Sequence, residues 1–455
     1  MKKFLTFTVI LSSIFCVSPS IICQTDVTKL TYTETAELVK KEFLHAWKAY
    51  KKYAWGHDEL KPLSKSGYDW YDRSFYMTPL DAFDTMIIMD LKDEAKEAKE
   101  LILHNLDFDR DVYVQNFEIT IRLLGGLLSA YELDGDNRFL SLAEDLGNRL
   151  LPVFDSETGM PYVNVNLKTG MTKNKINNPA EIGTLMLEFG TLSRLTGNNN
   201  YYNKAKNAVV QLYKRISSIG LVGTTIDVET GEWENEESHI SGMIDSYYEH
   251  LLKSWILFRD NDFKIMYDSS LSAVNKYLPD TVDSRLWYSK VNMNIGGKVS
   301  TTFGALDAFF PAVLSLGGNL NQAEYLQESC FYMWKYYDIE PEEFNYKTME
   351  VTYPGYVLRP ENIESAYYLY HFTKDDKYRE MGKIYLQSII NYCRLEEGYA
   401  SLRSVITKEK SDRMQSFFLA ETLKYLYLLF TDESVLEFNK IIFNTEAHPL
   451  KRDIN

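Results

Sequence analysis

Residues 117–146 read FEITIRLLGGLLSAYELDGDNRFLSLAEDL and contain two helical patterns separated by a short polar turn. The first pattern is apolar nearly all round, which is typical of a helix that is buried on both sides. The second pattern repeats apolar residues along one helical face, which is typical of a helix with one face toward solvent. This stretch therefore predicts a hairpin of one inner and one outer α-helix.

The same two-helix unit recurs along the chain, which is the signature of a repeat architecture. Clear copies begin at Glu181, Asp245 and Glu361, weaker copies at Leu80 and Leu306, and a last half-unit at Met414. By this template about seven inner helices run in the same direction, and about six of them have an outer partner. The missing seventh partner is supplied by TAELVKKEFLHAWKAYKKY at residues 35–53.

This pattern predicts an all-α (α/α)7 barrel of inner and outer helices, forming one catalytic domain over residues 30–450. An open superhelix is the alternative, but its terminal repeats should be polar caps, and these are not. An (α/α)6 barrel would follow if the repeat count were too high by one. The long connections at residues 154–174 and 220–240 carry Thr-Gly turns between β-prone runs, which predict β-hairpin loops at one rim.

The composition narrows the class of partner and the compartment. A formal net charge of -15 excludes nucleic acid as a partner, because nothing would neutralise its phosphates. Residues 1–23 have two lysines, an apolar run and small residues, which predict a signal peptide. No later segment is apolar enough to span a membrane. We expect an exported monomer, located in the periplasm or outside the cell in a bacterium and in the secretory-pathway lumen in a eukaryote.

Acidic residues lie at or near the first turn of the predicted inner helices. They are Asp81, Asp84, Glu118, Glu181, Asp245, Asp307, Glu361 and Glu364. One such acid is explained by the helix macrodipole, but parallel helices bring all of them to one mouth of the barrel. A clustered acidic rim is costly without a cation or a substrate. Glycosidic cleavage needs one protonated and one ionised carboxyl group, and Arg122 and Arg359 would help to create both environments.

An ordered set of motifs resembles glycoside hydrolase family 47, the class I α-mannosidases. The set comprises AWGHDELKPLS, FEITIRLLGGLLSAY, DLGNRLLPVFD, AEIGTL, IDSYYEHLLK, LRPENIESAYYLY, SFFLAETLKYLYLLF and NTEAHP. The resemblance implies the (α/α)7 barrel and an inverting exo-α-1,2-mannosidase that uses one Ca²⁺. The implied substrate is a high-mannose N-glycan or a mannose disaccharide. The alternative is a mannose-binding lectin or glycoprotein quality-control receptor on the same barrel.

The resemblance also implies the roles of individual residues. Glu118 matches the general acid, and Asp245 and Glu361 match the other two catalytic carboxylates, with Glu361 as the base that acts through water. Thr445 matches the residue that binds Ca²⁺ through its carbonyl and hydroxyl oxygens. The substrate-binding residues implied are Arg122, which would hold the acid, together with Glu181, Glu249, Arg359, Glu364, Phe417 and Glu421.

Two departures from the family pattern leave questions open. Ala308 stands where the trimming enzymes have a cysteine, so Cys330 either pairs with Cys393 or both remain free thiols. Met243 stands two residues before Asp245, where the two trimming branches have Arg or Leu, so the sequence does not assign a preferred glycan branch. LDAFFP and DRMQSFF are closer to the degradation-enhancing mannosidase-like branch.

Overall fold

The computed structural model describes residues 26–452. The predicted signal peptide, residues 1–23, lies outside the described residues. In chain order the α-helices are α1 (Tyr32–Tyr53), α2 (Met77–Asp81), α3 (Phe83–Ile88), α4 (Lys92–Asn105), α5 (Asn116–Ile119), α6 (Gly125–Asp134), α7 (Asn137–Leu150), α8 (Pro179–Gly183), α9 (Met186–Thr196), α10 (Asn199–Tyr213), α11 (Asp245–Phe258), α12 (Asn261–Tyr277), α13 (Phe310–Leu316), α14 (Leu320–Tyr337), α15 (Glu361–Thr373), α16 (Lys377–Cys393) and α17 (Leu423–Phe430).

Short strands connect the helices. They are β1 (Glu59–Lys61), β2 (Ser66–Tyr68), β3 (Tyr113–Gln115), β4 (Asn164–Asn166), β5 (Thr172–Lys173), β6 (Ile176–Asn177), β7 (Thr225–Asp227), β8 (Trp233–Asn235), β9 (Glu237–Ser238), β10 (Pro279–Val282), β11 (Arg285–Tyr288), β12 (Lys290–Asn292), β13 (Lys298–Ser300), β14 (Thr302–Gly304), β15 (Glu343–Asn345), β16 (Glu350–Tyr353), β17 (Arg394–Leu395), β18 (Gly398–Tyr399), β19 (Ile441–Phe443) and β20 (Pro449–Lys451).

The helices of the described chain form a closed (α/α)7 barrel, as predicted. The seven inner positions are taken by α2 with α3, α5 with α6, α8 with α9, α11, α13, α15 and α17, and the seven outer positions by α1, α4, α7, α10, α12, α14 and α16. The ring closes where Thr85 Oγ1 donates to Ala420 O at 3.3 Å, next to the last inner helix. Helix α1 packs on α17 and is the seventh outer partner, so the open superhelix is excluded.

Three of the turns between inner and outer helices share one capping chemistry. In two of them the inner helix ends on a left-handed glycine, Gly135 (φ 84°) or Gly197 (φ 76°), where glycine avoids the Cβ clash. Asp136, Asn198 or Asp260 then accepts a hydrogen bond from the backbone of the next helix and caps its N-terminus. This chemistry explains the short polar turn in these three units.

The outer helices bury one face, as α7 illustrates. Phe139, Ala143, Leu146 and Leu150 are buried, and their spacing places them on a single stripe against the inner ring. Burying each of the larger side chains stabilises the fold by roughly 1.5–3 kcal/mol.

Four small antiparallel sheets stand at the rim where the inner helices begin, as the loop pattern predicted. Their strand orders are β3-β4-β5, β6-β7-β8, β13-β12-β9 and β14-β15-β16. The predicted Thr-Gly turns connect β4 to β5 and β7 to β8, and Gly170 and Gly231 there have φ of 70° and 76°.

A C-terminal hairpin, β19 with β20, enters the lumen from the end opposite this rim. Phe438, just before the hairpin, stacks on His371 near the C-terminal end of α15 with ring centroids 4.0 Å apart. Phe443 reaches Tyr367 one turn higher, and Thr445 lines a cavity with Glu361 at the N-terminus of α15. The hairpin therefore climbs α15 and closes the barrel from below.

Two consecutive glycines at the start of α6 leave room for this plug. A Cβ at Gly125 would lie 2.5 Å from Asn444 Nδ2, and one at Gly126 would lie 3.4 Å from the His448 ring of the hairpin and 3.0 Å from Leu80. Asn444 Nδ2 donates to Ile121 O at 2.9 Å and to Glu188 Oε1 at 2.7 Å. The GG pair of the sequence that defined the repeat is thus a packing requirement of the hairpin.

Candidate active site

The open end of the barrel contains a cavity of about 320 Å³ that stops at the C-terminal hairpin. Nine of the predicted site residues line it: Glu118, Arg122, Glu181, Asp245, Arg359, Glu361, Phe417, Glu421 and Thr445. A smaller cavity of about 70 Å³ shares Asp245, Glu361, Glu421 and Thr445 with it and adds Glu249 and Glu364. The structure thus brings together all eleven residues selected from the sequence.

One wall of the cavity is formed by Glu118 and the guanidinium that holds it. Arg122 Nε donates to Glu118 Oε2 at 2.9 Å, and the Arg122 side chain packs between the rings of Trp70 and Phe417, at 5.2 and 5.6 Å from their centroids. Glu446 of the C-terminal hairpin accepts from Arg122 Nη1. A π-helical turn at Thr120–Leu124 carries Arg122; such turns occur frequently at functional sites.

The N-terminus of α15 supplies the opposite wall. Arg359 Nη1 lies 3.5 Å from Glu361 Oε1, and the same guanidinium is held by Glu342, with Nη2 2.9 Å from Oε2. Glu361 Oε2 is buried and has no hydrogen-bond partner. Burial raises the pKa of Glu361 to about 7, although Arg359 opposes the shift. An unpaired carboxylate oxygen here is available to a water molecule or a ligand.

Asp245 begins α11 on a third side of the cavity. Its Oδ1 accepts from Ser246 N at 2.8 Å, and burial, Glu249 and Glu361 raise its pKa to about 7. Met243, two residues earlier, is half-exposed and has a φ of 76°, which is uncommon for a residue with a side chain. Its carbonyl accepts from Ala180 N at 2.8 Å. This strained turn fixes the start of α11 beside the cavity.

Acidic side chains crowd the bottom of the cavity with little positive charge to balance them. Burial and the neighbouring carboxylates raise the pKa of Glu364 to about 8 and hold that of Glu421 well above its usual range. Glu249 is the exception, since Lys253 Nζ donates to it. A second π-helical turn, Phe418–Thr422, carries Glu421. Such a group of acids is stabilised by a cation or by a ligand rich in hydroxyl groups.

Glu181 stands at the rim, where it begins the inner helix α8. Gln115 Nε2 and Asn178 Nδ2 donate to its Oε1 at 2.9 and 3.1 Å. Burial raises the pKa of Glu181, and its Oε2 has no hydrogen-bond partner. Its free oxygen is suited to accept from a hydroxyl group of a ligand.

The oxygens at the base of the cavity fit a hard cation. Thr445 lies in the turn between β19 and β20. Thr445 and Glu421 line both cavities, and Glu364 lines the smaller one. No group of three or more His, Cys, Asp or Glu side chains within residues 26–452 is arranged to hold a metal by itself. A cation here would therefore take Thr445, water and ligand hydroxyls as its main donors. Ca²⁺, which accepts six to eight oxygen ligands, suits this donor set.

Three acids of the predicted rim do not line the cavity. The first inner helix begins at Met77, so Asp81 and Asp84 lie beyond its first turn. Asp81 is buried beside Arg122, and Asp84 is buried against Lys424 and His448. Asp307 lies in a 3₁₀ turn and folds back to accept from Gly304 N at 2.9 Å. The prediction of a common mouth for all eight acids was wrong for these three, because it assumed that every inner helix starts at one height.

Several residues of the site were missed. Trp70, Glu342 and Glu446 hold the two arginines, and none of them lies at a predicted inner-helix start. Of these three, only Glu446 could have been found from the sequence. It lies in the motif NTEAHP, where Glu446 and His448 are titratable side chains between two buried strands. Cys330 and Cys393 are buried free thiols, which favours that alternative over a disulfide.

Comparison with known proteins agrees with this geometry. The family model of glycosyl hydrolase family 47 matches residues 42–452. This chain belongs to that family. A family 47 barrel also explains a structural likeness to the α-1,2-mannosidase from Trichoderma reesei, with a TM-score of 0.87 and 30% identity, covering 92% of this chain and 99% of that one.

Curated relatives of this family 47 chain are similar over most of its length. "Alpha-mannosidase I MNS5" of Arabidopsis thaliana is 38% identical over 445 residues, 91% of this chain and 76% of the relative. "Endoplasmic reticulum mannosyl-oligosaccharide 1,2-alpha-mannosidase" of Rattus norvegicus is 40% identical over 448 residues, 90% of this chain and 67% of the relative. Within residues 26–452, no helix has the length and apolar character needed to cross a membrane.

Proposed function

We propose that this family 47 enzyme is an inverting, Ca²⁺-dependent exo-α-1,2-mannosidase that removes terminal mannose from high-mannose N-glycans. The observation that carries the proposal is a blind cavity of about 320 Å³ with carboxyl groups on facing walls. A cavity closed below by the C-terminal hairpin accepts the end of a chain and not its middle. The names of the relatives supply the sugar and the linkage.

Glu118 is the proton donor in this mechanism. It is the catalytic carboxyl group that Arg122 holds in place, and it stands on the wall opposite Glu361. Donation to the glycosidic oxygen assists departure of the leaving group as positive charge develops on the sugar ring. Arg122, packed between two aromatic rings, keeps the carboxyl group fixed in the cavity wall.

Glu361 is the base, and it takes a proton from the water that attacks the opposite face of the sugar. Its unpaired Oε2 is free to accept from that water. Asp245, beside it, shares the negative charge around the attacking water. An inverting enzyme needs room for this water, so we expect the acid and base carboxyl groups to be about 6.5–9.5 Å apart.

The remaining residues bind the terminal mannose. The Phe417 ring offers an apolar face to the sugar, and Arg359, Glu364, Glu421, Glu249 and Glu181 bind hydroxyl groups. A Ca²⁺ ion held by Thr445 would orient two sugar hydroxyls and supply positive charge that keeps Glu361 ionised. Glu421 and Glu364 surround that position with negative charge. We also propose that the enzyme is exported and monomeric, as expected from the sequence.

Stereochemistry tests the proposal directly. Proton NMR during hydrolysis of an α-1,2-linked mannose disaccharide should show β-mannose first, followed by mutarotation. Early α-mannose would contradict the inverting mechanism. Binding without any release of mannose would favour the lectin alternative, which needs no proton donor. Digestion of a high-mannose glycan with mapping of the product isomers identifies the preferred branch.

A further inference from the structure

A buried polar cluster lies beneath the cavity, and the proposed chemistry does not use it. Lys424 Nζ lies 2.6 Å from Asp84 Oδ1, and His448 Nδ1 lies 2.6 Å from Asp84 Oδ2, where Ser129 Oγ also donates at 2.9 Å. Although burial opposes it, Lys424 and His448 hold the pKa of Asp84 below its usual value. An ionised Asp84 only accepts hydrogen bonds, so His448 Nδ1 carries a proton.

The other nitrogen of the imidazole faces a second buried carboxylate. His448 Nε2 lies 3.6 Å from Asp81 Oδ1, and neither atom has a hydrogen-bond partner. A buried polar atom without a partner costs about 1–3 kcal/mol. A proton on Nε2 turns the pair into a donor facing an acceptor and removes both costs. Burial alone would lower the pKa of His448, but Asp84 and Asp81 outweigh it and raise the pKa to about 9.

Asp81 connects this imidazole to the wall of the cavity. Its Oδ2 accepts from Ser416 Oγ and lies 3.5 Å from Arg122 Nη1. Arg122 Nε in turn donates to Glu118 Oε2 at 2.9 Å. Positive and negative groups therefore alternate from His448 through Asp81 and Arg122 to Glu118.

We propose that His448 and Asp81 are positioning residues for the proton donor of the reaction. A permanently charged imidazolium at His448 neutralises Asp81, and Asp81 sets how much of the charge of Arg122 acts on Glu118. The inference rests on the proposed function at one point, the role of Glu118 as the acid. The C-terminal hairpin would then do more than close the barrel, since its His448 tunes the proton donor from below.

The sign of the effect follows from the two charges. Loss of the positive charge at His448 makes the surroundings of Glu118 more negative and favours its protonated form. Loss of the negative charge at Asp81 leaves more of the charge of Arg122 for Glu118 and favours its ionised form. Neither variant replaces the other charged or titratable residues that face this pair and Glu118: Asp84 and Lys424 beside His448, Glu188 from α9, Glu446 from the hairpin, and Glu181 and Tyr71 near Glu118.

The test is the pH profile of kcat/KM for His448→Gln and Asp81→Asn, measured on a mannose disaccharide with saturating Ca²⁺. The alkaline limb reports the proton donor of the free enzyme. We expect the limb to move up in His448→Gln and down in Asp81→Asn, each by on the order of half a pH unit. A purely structural role would lower activity in both variants without shifting their limbs in opposite directions.

Ser129→Ala is the matched control, because it removes a hydrogen bond to Asp84 and changes no charge; its limb should stay in place. If His448→Gln does not fold, the downward shift in Asp81→Asn decides alone. An unmoved limb in the folded variants, or movement of both limbs in one direction, overturns the inference. Retention of the alkaline limb in Glu118→Gln refutes instead the acid assignment, and the inference with it.

Discussion

The lumen of the barrel holds two groups of buried carboxyl side chains, one lining the cavity and one beneath it. In the cavity, burial raises the pKa of Glu361 and Asp245 to about 7, and Glu364 and Glu421 are shifted the same way. Beneath it, the pKa of Asp84 is lowered, because Lys424 and His448 contact it directly. The comparison shows that burial alone does not mark a ligand site. The cavity carboxyl groups outnumber their counter-charges, which are Arg122, Arg359 and Lys253, whereas Asp84 alone contacts two cations. The marker is this excess of buried carboxyl groups over internal counter-charges.

Removal of Ca²⁺ is the strongest way to test the comparison. Chelation with EDTA should abolish hydrolysis, because the cavity acids lose their cation. Circular dichroism should show the helices intact, because the buried Asp84 keeps its counter-charges, Lys424 and His448. Added Ca²⁺ should restore activity, and Mg²⁺ should do so poorly, since it demands a tighter octahedral shell. Thr445→Ala should require more Ca²⁺ for saturation. Full activity in excess chelator, with no ion recovered from the protein, would refute the calcium site.

Replacement of the proton donor should have the next largest effect on activity. Glu118→Gln keeps the shape of the side chain and removes its proton, so turnover should fall roughly 10²–10⁴-fold with little change in substrate binding. Steady-state kinetics on a disaccharide, with binding measured by calorimetry, separates the two effects. Near-normal turnover in this variant would exclude Glu118 as the acid.

Stability should respond in opposite ways at the two sites. Lys424→Met leaves the buried Asp84 with His448 as the one cation in contact with it and should cost on the order of 3 kcal/mol of unfolding free energy. Glu421→Gln relieves repulsion among the cavity acids, so in EDTA its unfolding free energy should be unchanged or higher, although its activity falls. Urea unfolding of both variants measures this contrast. A large destabilisation by Glu421→Gln would mean that the cavity acids are paired after all.

The pH dependence of stability is the smallest of these effects per pH unit, because each titrating group changes the unfolding free energy by at most about 1.4 kcal/mol per unit. The pKa of His448 rises from 6.5 to about 9, so its contribution is complete below pH 6.5 and is lost as the pH rises through 9. The pKa of Glu188 is raised from 4.5 to about 8. The protein therefore loses further stability as the pH rises from 4.5 to 8, because in this range Glu188 ionises in the unfolded chain and not in the folded one. Over its whole window, His448 should remove roughly 3 kcal/mol and Glu188 roughly 5 kcal/mol. Urea midpoints in EDTA should therefore fall between pH 5.5 and 8.5, and less steeply in His448→Gln.

The sequence predicted the barrel because its pattern is local and repeated. The apolar stretch around Gly125 and the amphipathic stretch around Leu146 each specify one helix and its buried face. Residues from distant motifs could be predicted to lie close together, because parallel inner helices begin at one rim. Glu118, Asp245 and Glu361 do line one cavity.

The contacts that cross the lumen could not be predicted in this way. Glu446 reaches Arg122 across 324 positions of sequence, and Glu342 reaches Arg359 from a rim sheet. No periodicity specifies such pairs, because each joins the barrel to a hairpin or loop outside the helical repeat. Asp84 was misplaced because its inner helix begins at Met77, seven residues earlier, so the helix carries Asp84 below the rim.

The plug formed by β19 and β20 also constrains the order of folding. The hairpin contacts four different inner helices, through Ile121, Glu188, Asp84 and Tyr367, so its docking site exists only after the ring has assembled. Until the hairpin is inserted, the lumen is open at both ends, Lys424 lacks the carbonyl of Ala447, and the cavity has no base. The catalytic pocket is therefore completed last, and an intermediate with every helix formed is still inactive.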